Sequence, residues 1–341
     1  MPSSKWRRTF RAVFTQPDPR AHALLLRDSQ TVTRIHFLHA AAHLGLFAEL
    51  KSPDSAAALE QRLGVKRPQQ FRLFLDLGVA LGELSRRGDA YALKGARARA
   101  LAGRNGSVLR ALLDEQLGYH GSVYQHLPER LQGAELGDYL TETAAVVAES
   151  SRIAEPVVSA YVREAVAEAP GAGADGPRVL DAGCGSGVYL RAAAHRPGTT
   201  GTGIDLREAS VDMTRRNLAE WGLADRFTVR QGDVRDAGPD GPYDVVLLLN
   251  NIYYFAPEER AGIFRTLREA LRDGGTLVLV SMFHGQSPTG LNLDLVLACT
   301  QGCYALPTPE ELRPELREAG FADVRVDQLV AGQDLLALRA R

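Results

Sequence analysis

The stretch Arg178-Val-Leu-Asp-Ala-Gly-Cys-Gly-Ser-Gly-Val-Tyr-Leu190 decides the fold class of this chain. A short apolar run ends at Asp181, glycines follow at positions 183, 185 and 187, and apolar residues at helical spacing begin at Tyr189. This order predicts a strand, a glycine turn and a helix, which together bring a backbone close to a ligand at the helix N-terminus. Val188 stands where a dinucleotide-binding fingerprint has its third glycine, so the loop alone does not identify the nucleotide.

The composition is typical of a globular protein of 341 residues, with 45% apolar and 24% charged residues. The formal net charge of −1 gives no bulk attraction to nucleic acid or to an anionic membrane, so neither is a predicted partner. The cysteines Cys184, Cys299 and Cys303 form no CxxC pair, which argues against a disulfide framework or a zinc ribbon. No apolar run approaches the ~20 residues of a membrane span, and the N-terminus lacks a secretory h-region. The sequence therefore predicts a cytoplasmic protein.

Strands and helices alternate from residue 178 onward, which predicts a doubly wound parallel sheet of the α/β class. After the first strand, the predicted strands are 201–205, 227–233, 243–250, 275–280, 324–329 and 335–341, and the predicted helices are 211–221, 258–271 and 309–319. Sheets of this kind bind ligands at the carboxyl ends of their strands. We therefore expect the active site at that edge.

The side chains at these strand ends suit an adenosine without phosphates. Asp205 ends the second strand, where a carboxylate can accept both ribose hydroxyls. Asp233 ends the third strand and can accept from an adenine amine, while the Val234 N–H can donate to the ring. No Lys or Arg lies within residues 183–190, so the loop has no phosphate clamp.

The segment from Val179 to Gly187, followed by Gly203-Ile-Asp205 and Gln231-Gly-Asp233, resembles the class I S-adenosylmethionine-dependent methyltransferases. The resemblance implies S-adenosylmethionine as cofactor and S-adenosylhomocysteine as product. It also implies a seven-stranded Rossmann-like sheet of order 3-2-1-4-5-7-6 with an antiparallel seventh strand. The predicted cofactor-binding residues are Asp181, Gly183, Cys184, Gly185, Gly187, Asp205, Leu206, Gly232, Asp233, Val234, Asn250 and Asn251.

The N-terminal part predicts a winged helix after a loosely held arm at 1–22. Its predicted helices are 31–50, 56–63 and 68–81, and a hairpin follows at 83–93. The third helix carries Phe71, Phe74 and several leucines, which leaves few positions for reading DNA bases. This apolar surface, with the face around Leu38, predicts a contact with a second copy of the chain. A winged-helix regulator that binds DNA remains the less favoured alternative.

Residues 42–50, Tyr91-Ala-Leu93 and Ala98-Arg-Ala-Leu101 resemble the dimeric small-molecule O-methyltransferases of plants and of bacterial secondary metabolism. The resemblance implies a homodimer whose N-terminal domains help to roof the partner's substrate site. The predicted division is a winged-helix dimerisation domain at 1–105, a helical linker and substrate-pocket segment at 106–169, and the catalytic domain at 170–341. A glycine- and proline-rich linker at 170–177 marks the last boundary.

Tyr254 stands where that family commonly has its catalytic histidine. A phenol with its ordinary pKa near ~10 is a poor base at neutral pH. The acceptor could therefore be an oxygen, nitrogen or carbon atom that needs little base assistance. The alternative is a repurposed enzyme, a decarboxylase, hydroxylase or cyclase, that binds the cofactor without transferring its methyl group. His284 follows the fifth strand and is the remaining candidate base, unless it only tethers the loop at 285–288.

Two further groups of aromatic and histidine side chains have open roles. His120, Tyr124 and His126, together with Tyr254, are the predicted substrate-binding residues, although they could equally be helix-packing residues. His36, His39 and His43 share one helical face. No acidic residue completes a ligand set on that face, so a helix–helix contact is favoured and no metal site is predicted.

Overall fold

The computed structural model describes residues 18–169, 176–236 and 241–341. The chain divides into two compact units, and the boundary falls between Gln116 and Leu117. The described residues leave out positions 1–17 of the predicted arm and positions 170–175 of the predicted linker. The three-part division of the sequence stays a prediction.

The first unit is a helical domain with a small three-stranded sheet. Its helices are α1 Pro19–His43, α2 Leu46–Glu49, α3 Ala56–Arg62, α4 Pro68–Ala80, α5 Ala96–Leu101 and α6 Gly106–Asp114. Its strands are β1 Asp54–Ser55, β2 Leu84–Arg87 and β3 Ala90–Leu93, paired antiparallel in the order β1-β3-β2. The predicted winged helix is confirmed, and β1 is a short third strand that the sequence pattern did not reveal.

The first helix differs from its prediction at both ends. It begins at Pro19, inside the predicted arm, because proline is favourable at the first position of a helix. It ends at His43, since Gly45 adopts a left-handed conformation with φ of 80° and starts the separate helix α2. The predicted helix over 31–50 is therefore two helices.

The apolar residues of the first unit are distributed differently from the prediction. Leu38, Phe71 and Leu75 are buried in the unit's own core, and Phe74 packs against that core. Leu38 and Phe71 are therefore not available to a second subunit, whereas Phe74 is only half-buried, and the homodimer stays a prediction. The large apolar side chains that stay exposed in this unit are Leu24, Leu25, Leu26, Val32, Leu44, Leu73 and Leu77.

A π-helical turn, Glu115–His120, crosses the boundary and leads into the second unit. The helices that follow are α7 Gly121–Gln125, α8 Leu127–Leu131, α9 Tyr139–Ser150 and α10 Glu155–Glu168, with a 3₁₀ turn Ser151–Ala154 between the last two. Short π-helical insertions are frequent at functional sites, because they re-aim the side chains of one turn.

A seven-stranded sheet forms the centre of the second unit. Its strands are β4 Arg178–Ala182, β5 Thr200–Asp205, β6 Phe227–Gln231, β7 Tyr243–Leu249, β8 Leu271–Met282, β9 Val324–Gln328 and β10 Leu335–Ala340. The spatial order is β6-β5-β4-β7-β8-β10-β9, and β10 is antiparallel to both neighbours. This is the predicted order 3-2-1-4-5-7-6. The helices beside it are α11 Val188–Ala193, α12 Glu208–Glu220, α13 Pro257–Ala270, α14 Pro288–Ala298 and α15 Pro309–Glu318.

Both faces of the sheet are buried, which explains the continuously apolar strand β7. Its residues alternate between two core clusters, with Val246 and Leu248 in one and Val245 and Leu247 in the other. Helices α13 and α15 contribute to the first cluster, and α10 and α11 contribute to the second. This double covering fixes the register of the strands and leaves their carboxyl ends to form a site.

In the parts of the chain that the structure describes, none of the helices combines the length and the apolar character needed to cross a lipid bilayer.

Candidate active site

The glycine loop between β4 and α11 has a backbone that other residues could not adopt without strain. Gly183 and Gly187 have φ angles of 90° and 78°. A Cβ on Gly183 would lie 2.5 Å from Asn251 Nδ2, and one on Gly187 would lie 2.6 Å from Thr214 Cγ2. A Cβ on Gly185 would meet nothing within 4 Å, so the middle of the loop borders open space. A ligand can therefore approach the backbone there.

The loop is anchored by side chains from β5 and α12. The Gly185 N–H donates to Asp205 Oδ2 at 2.9 Å, and Thr214 Oγ1 donates to the Gly185 carbonyl at 2.6 Å. Asn217 Nδ2 donates to the Ser186 carbonyl at 2.9 Å. The other oxygen of Asp205 accepts from the Arg207 N–H at 2.9 Å. These bonds orient the Asp205 carboxylate, and its remaining lone pairs can still accept from a ligand.

Asp181 is a fully buried carboxyl group at the start of the loop, with 0% exposure. Neither of its oxygens has a hydrogen-bond partner. Burial, with a smaller contribution from the negative charge of Asp205, raises the pKa of Asp181 to about 7. An unsatisfied carboxyl group in this position costs folding free energy, and a cationic or hydrogen-bonding ligand would relieve that cost.

Three predicted cofactor-binding residues contribute in different ways. Leu206 is 65% exposed beside Asp205 and offers an apolar surface to a ring. The Cys184 side chain is buried in a core cluster with Leu190 and Val211, and its N–H donates to the Ile204 carbonyl. Cys184 therefore acts through the shape of the loop. The Gly232 N–H donates to the Asp205 carbonyl at 3.0 Å, which ties the ends of β5 and β6 together.

Asp233 and Val234 lie just after β6, which ends at Gln231 rather than at the predicted residue 233. The Asp233 carboxylate accepts from the N–H and the guanidinium of Arg235, both at 2.9 Å. Val234 is buried and begins a 3₁₀ turn, Val234–Asp236. An adenine amine would have to share the carboxylate with Arg235.

Asn250 and Asn251 follow β7 and face the glycine loop. Asn250 has a φ of 54°, a conformation in which asparagine is enriched, and its side chain bonds to that of Tyr189. Asn251 Nδ2 donates to the Ala182 carbonyl at 2.7 Å, while its buried Oδ1 has no partner. The structure thus brings both asparagines beside β4 and leaves an acceptor oxygen for a ligand.

Tyr254 lies in the 3₁₀ turn Ile252–Tyr254, with its ring centroid 4.6 Å from that of Tyr253. Loss of solvent around its hydroxyl raises the pKa of Tyr254 above the usual value, and Cys303 adds to the effect. The charges of Arg207 and Asp205 also act on this pKa, which places the hydroxyl near the end of β5. At neutral pH the Tyr254 hydroxyl is thus deprotonated even less readily than an ordinary phenol and is suited to donating a hydrogen bond.

His284 is paired with a carboxylate that the sequence analysis missed. Its Nδ1 atom lies 2.5 Å from Asp294 Oδ2, and the other oxygen of Asp294 accepts from the Leu306 N–H at 2.7 Å. Asp294 raises the pKa of His284 above its usual value. The loop at 285–288 is held by Asp334, whose Oδ2 accepts from the Ser287 N–H and hydroxyl. The His284–Asp294 bond spans the loop at 285–288, so a tether role for His284 stays open beside the base role.

His120 and Tyr124 meet at a second missed residue, Asn292, on the same helix as Asp294. The Tyr124 hydroxyl donates to Asn292 Oδ1 at 2.7 Å, and Asn292 Nδ2 lies 3.1 Å from His120 Nδ1. His126 instead bonds to the Ser122 carbonyl of its own helical turn, at 2.9 Å. The one available signal was the pattern Leu291-Asn-Leu-Asp-Leu295, in which two polar residues interrupt an apolar helix.

A known protein family matches part of this chain. The family described as a methyltransferase domain matches residues 179–275, from β4 into β8. Residues 179–275 therefore carry a methyltransferase domain. The match confirms the predicted resemblance to a methyltransferase domain over these residues. The unsatisfied Asp181, the oriented Asp205 and the open space at Gly185 are features that fit S-adenosylmethionine.

Several of the matching methyltransferases are named for small-molecule substrates. The 27-O-demethylrifamycin SV methyltransferase of Amycolatopsis mediterranei is 30% identical over 149 residues, 43% of this chain and about half, 54%, of that enzyme. The demethylspheroidene O-methyltransferase of Cereibacter sphaeroides is 24% identical over 83% of this chain and 76% of its own length. The structure of the mitomycin 7-O-methyltransferase matches with a TM-score of 0.77 and 21% identity, over 94% of this chain and 98% of that one, which shows a shared fold.

Proposed function

We propose that this protein transfers a methyl group from S-adenosylmethionine to a small-molecule metabolite, and that the transfer is part of natural-product biosynthesis. The observation that carries the proposal is the pair of carboxylates at the glycine loop. Asp181 is buried and unpartnered, and Asp205 is oriented by two backbone N–H groups. The named relatives, which methylate 27-O-demethylrifamycin SV and demethylspheroidene, support the substrate class.

The cofactor would be held by the loop and the ends of β5 and β6. Asp205 would accept from ribose hydroxyls, Leu206 would cover one face of the adenine, and Asp233 would accept from the adenine amine. Asp181 and the Oδ1 atom of Asn251, both without partners, would receive the polar groups of the methionine part. S-adenosylmethionine supplies an electrophilic methyl group on a positively charged sulfur.

His284 is the general base in this proposal. Its Nδ1–H donates to Asp294, so Nε2 carries the lone pair that would take a proton from an acceptor hydroxyl. Asp294 also stabilises the imidazolium that forms. The Asn250 N–H donates to the Val280 carbonyl at 2.7 Å, which joins the end of β7 to β8 shortly before His284. Tyr254 and the asparagine pair would orient the acceptor, because they can donate hydrogen bonds without titrating near neutral pH.

The His284–Asp294 pair supplies a candidate base in place of the missing family histidine. Tyr254 cannot replace that base, since the raised pKa keeps its hydroxyl protonated. The His284–Asp294 pair offers a base from the neighbouring strand end, so a repurposed activity is not needed to explain Tyr254. A hydroxyl acceptor is consistent with this arrangement, while an amine or carbanion acceptor would depend less on His284.

Methyl transfer is tested by following S-adenosylhomocysteine while hydroxylated natural-product precursors are screened as acceptors. We expect S-adenosylhomocysteine to accumulate only when an acceptor is present. Conversion of a substrate without consumption of cofactor would instead indicate a repurposed enzyme. The Asp205→Ala variant serves as the cofactor-binding control and should release little S-adenosylhomocysteine.

We also propose that the chain forms a homodimer through exposed apolar residues of α1. Leu24, Leu25, Leu26 and Val32 are exposed on the N-terminal half of α1, where a second copy could cover them. Light scattering should give about twice the monomer mass of 37.0 kDa, and Leu25→Lys with Leu26→Lys should lower it. A wild-type monomer at micromolar concentration would contradict this assembly.

A further inference from the structure

Helices α1 and α6 place two histidines and one aspartate around a single point in the first unit. His39 Nε2 lies 3.0 Å from Asp114 Oδ1, and His43 Nε2 lies 2.6 Å from the same oxygen. The two imidazole rings are 4.5 Å apart. The three candidate ligand atoms all lie within 4.8 Å of one another.

The His43–Asp114 bond joins the histidine-bearing face of α1 to a second helix, in agreement with the favoured helix–helix contact. On sequence alone no acidic residue completes a ligand set, and the carboxylate comes instead from Asp114, 71 residues beyond His43. His36, one turn earlier on α1, is exposed and is not part of the group. Among the residues that the structure describes, this is the only such cluster of three His, Cys, Asp or Glu side chains.

The donor set and spacing are those of a transition-metal site. Histidines at positions i and i+4 of a helix present both imidazoles to one ion, as in many zinc proteins. A tetrahedral zinc with ligands at about 2.0–2.1 Å separates its ligand atoms by roughly 3.3 Å, so the observed 2.6 and 3.0 Å need only a small outward movement. The side chains are 33%, 50% and 20% exposed for His39, His43 and Asp114, so water can occupy a fourth position.

We propose that His39, His43 and Asp114 bind a divalent transition metal, with zinc as the preferred ion, and that the ion joins α1 to α6. Two imidazoles and one carboxylate suit Zn²⁺ better than Mg²⁺ or Ca²⁺, which prefer oxygen ligands. Such an ion would stabilise the first unit, because it binds the folded arrangement of two helices and not the unfolded chain. The three proposed metal ligands belong to the first unit and the proposed methyl-transfer residues belong to the second. Each proposal can therefore be tested without the other.

The test measures zinc binding by the chelator-treated full-length chain against a chromophoric competitor. We expect one zinc ion per chain in the wild type and in His36→Ala, a matched control that removes a neighbouring exposed histidine from the same helix. His43→Ala and Asp114→Asn should each weaken binding by at least about tenfold, because loss of even an outer-shell partner typically costs 10–100-fold. Zinc should also raise the melting temperature of the wild type and of His36→Ala, but not of the two ligand variants.

X-ray absorption at the zinc edge keeps the proposal testable without any variant. The zinc-loaded wild type should show two imidazole ligands and oxygen ligands, with no sulfur, since Cys184, Cys299 and Cys303 are buried. Three results would each overturn the proposal. They are an absence of stoichiometric zinc binding by the wild type, wild-type zinc affinity in both Asp114→Asn and His43→Ala, and a sulfur ligand in the absorption spectrum.

Discussion

His284 and Asp294 form a hydrogen-bonded pair with 2.5 Å between Nδ1 and Oδ2, although one residue follows β8 and the other lies within α14. The pair has the geometry in which a carboxylate orients an imidazole and stabilises its protonated form. Because Asp294 also accepts from the Leu306 backbone, its position is fixed independently of His284. The candidate base is therefore held by the fold rather than by the substrate.

The pH dependence of turnover tests this pair. Asp294 raises the pKa of His284, so the neutral, proton-accepting form accumulates only at pH values above the ordinary ~6.5. We expect kcat/KM to rise with pH through that raised pKa, and Asp294→Asn to move the acid limb to lower pH. His284→Ala should lower kcat by ~10²–10⁴. The control is His195→Ala, which removes an exposed histidine and should keep the wild-type rate. A wild-type rate and pH profile in His284→Ala would show that His284 is not the base.

Removal of the Asp205 carboxylate tests the ribose contact. We expect Asp205→Ala to weaken S-adenosylmethionine binding by roughly 1.5–3 kcal/mol, the scale of hydrogen bonds to a charged group. Titration calorimetry gives the affinity directly. Asp212→Ala, which removes an exposed carboxylate from the adjacent helix α12, should bind like the wild type. Unchanged affinity in a folded Asp205→Ala variant would exclude the ribose role.

The buried Asp181 predicts an unusual pH dependence of stability. Its pKa is about 7 in the folded chain, against an ordinary value of 3.8, so the folded state binds the extra proton and stability falls as pH rises between these values. Asp181→Asn removes this titration. Between pH 5 and pH 8 this titration should lower the free energy of unfolding of the wild type by on the order of 2 kcal/mol. The Asp181→Asn variant should not show this loss.

Thermal or urea unfolding of Asp181→Asn at both pH values measures that difference, and any constant effect of the new amide cancels in the comparison. The same variant should bind S-adenosylmethionine more weakly, because the ligand loses its partner carboxylate. A stability change that is equal at pH 5 and pH 8 would show that Asp181 has an ordinary pKa.

Asn292 bridges His120 and Tyr124 without being a candidate reacting group, and we propose that it positions these two side chains. Asn292→Ala removes both hydrogen bonds and should raise the KM for the acceptor about thirtyfold, at roughly 1 kcal/mol per bond. The affinity for S-adenosylmethionine and the pH profile should not change. If KM stays constant while cofactor affinity falls, the Asn292 network supports the cofactor and not the acceptor.

The sequence carried most of the information about the sheet. The glycine loop after β4 and the apolar run of β7 have strong local signals, and alternation of strands and helices leaves few possible orders. Helix α1 was harder to predict, because the break at Gly45 depends on one left-handed backbone conformation within an otherwise helical pattern. The burial of Phe71 and Leu38 depends on the packing of the whole unit, which periodicity does not specify.

The candidate site was predictable at the strand ends and not at its supporting helices. Asp181 and Asp205 are placed by the motif that surrounds them, whereas Asp294 and Asn292 meet His284 and His120 through the packing of α14. Asp114 likewise meets His43 only because α1 and α6 pack together. Contacts between distant elements have no local sequence signature, so these partners became visible only in the folded chain.

The central claim is that a methyl group moves from S-adenosylmethionine to a small-molecule acceptor at this site. The most direct test supplies cofactor with a deuterium-labelled methyl group and analyses the products by mass spectrometry. We predict that the labelled methyl appears in the acceptor in an amount equal to the S-adenosylhomocysteine formed, with both greatly reduced in Asp205→Ala. A product without the label, formed while the cofactor remains intact, would contradict the account.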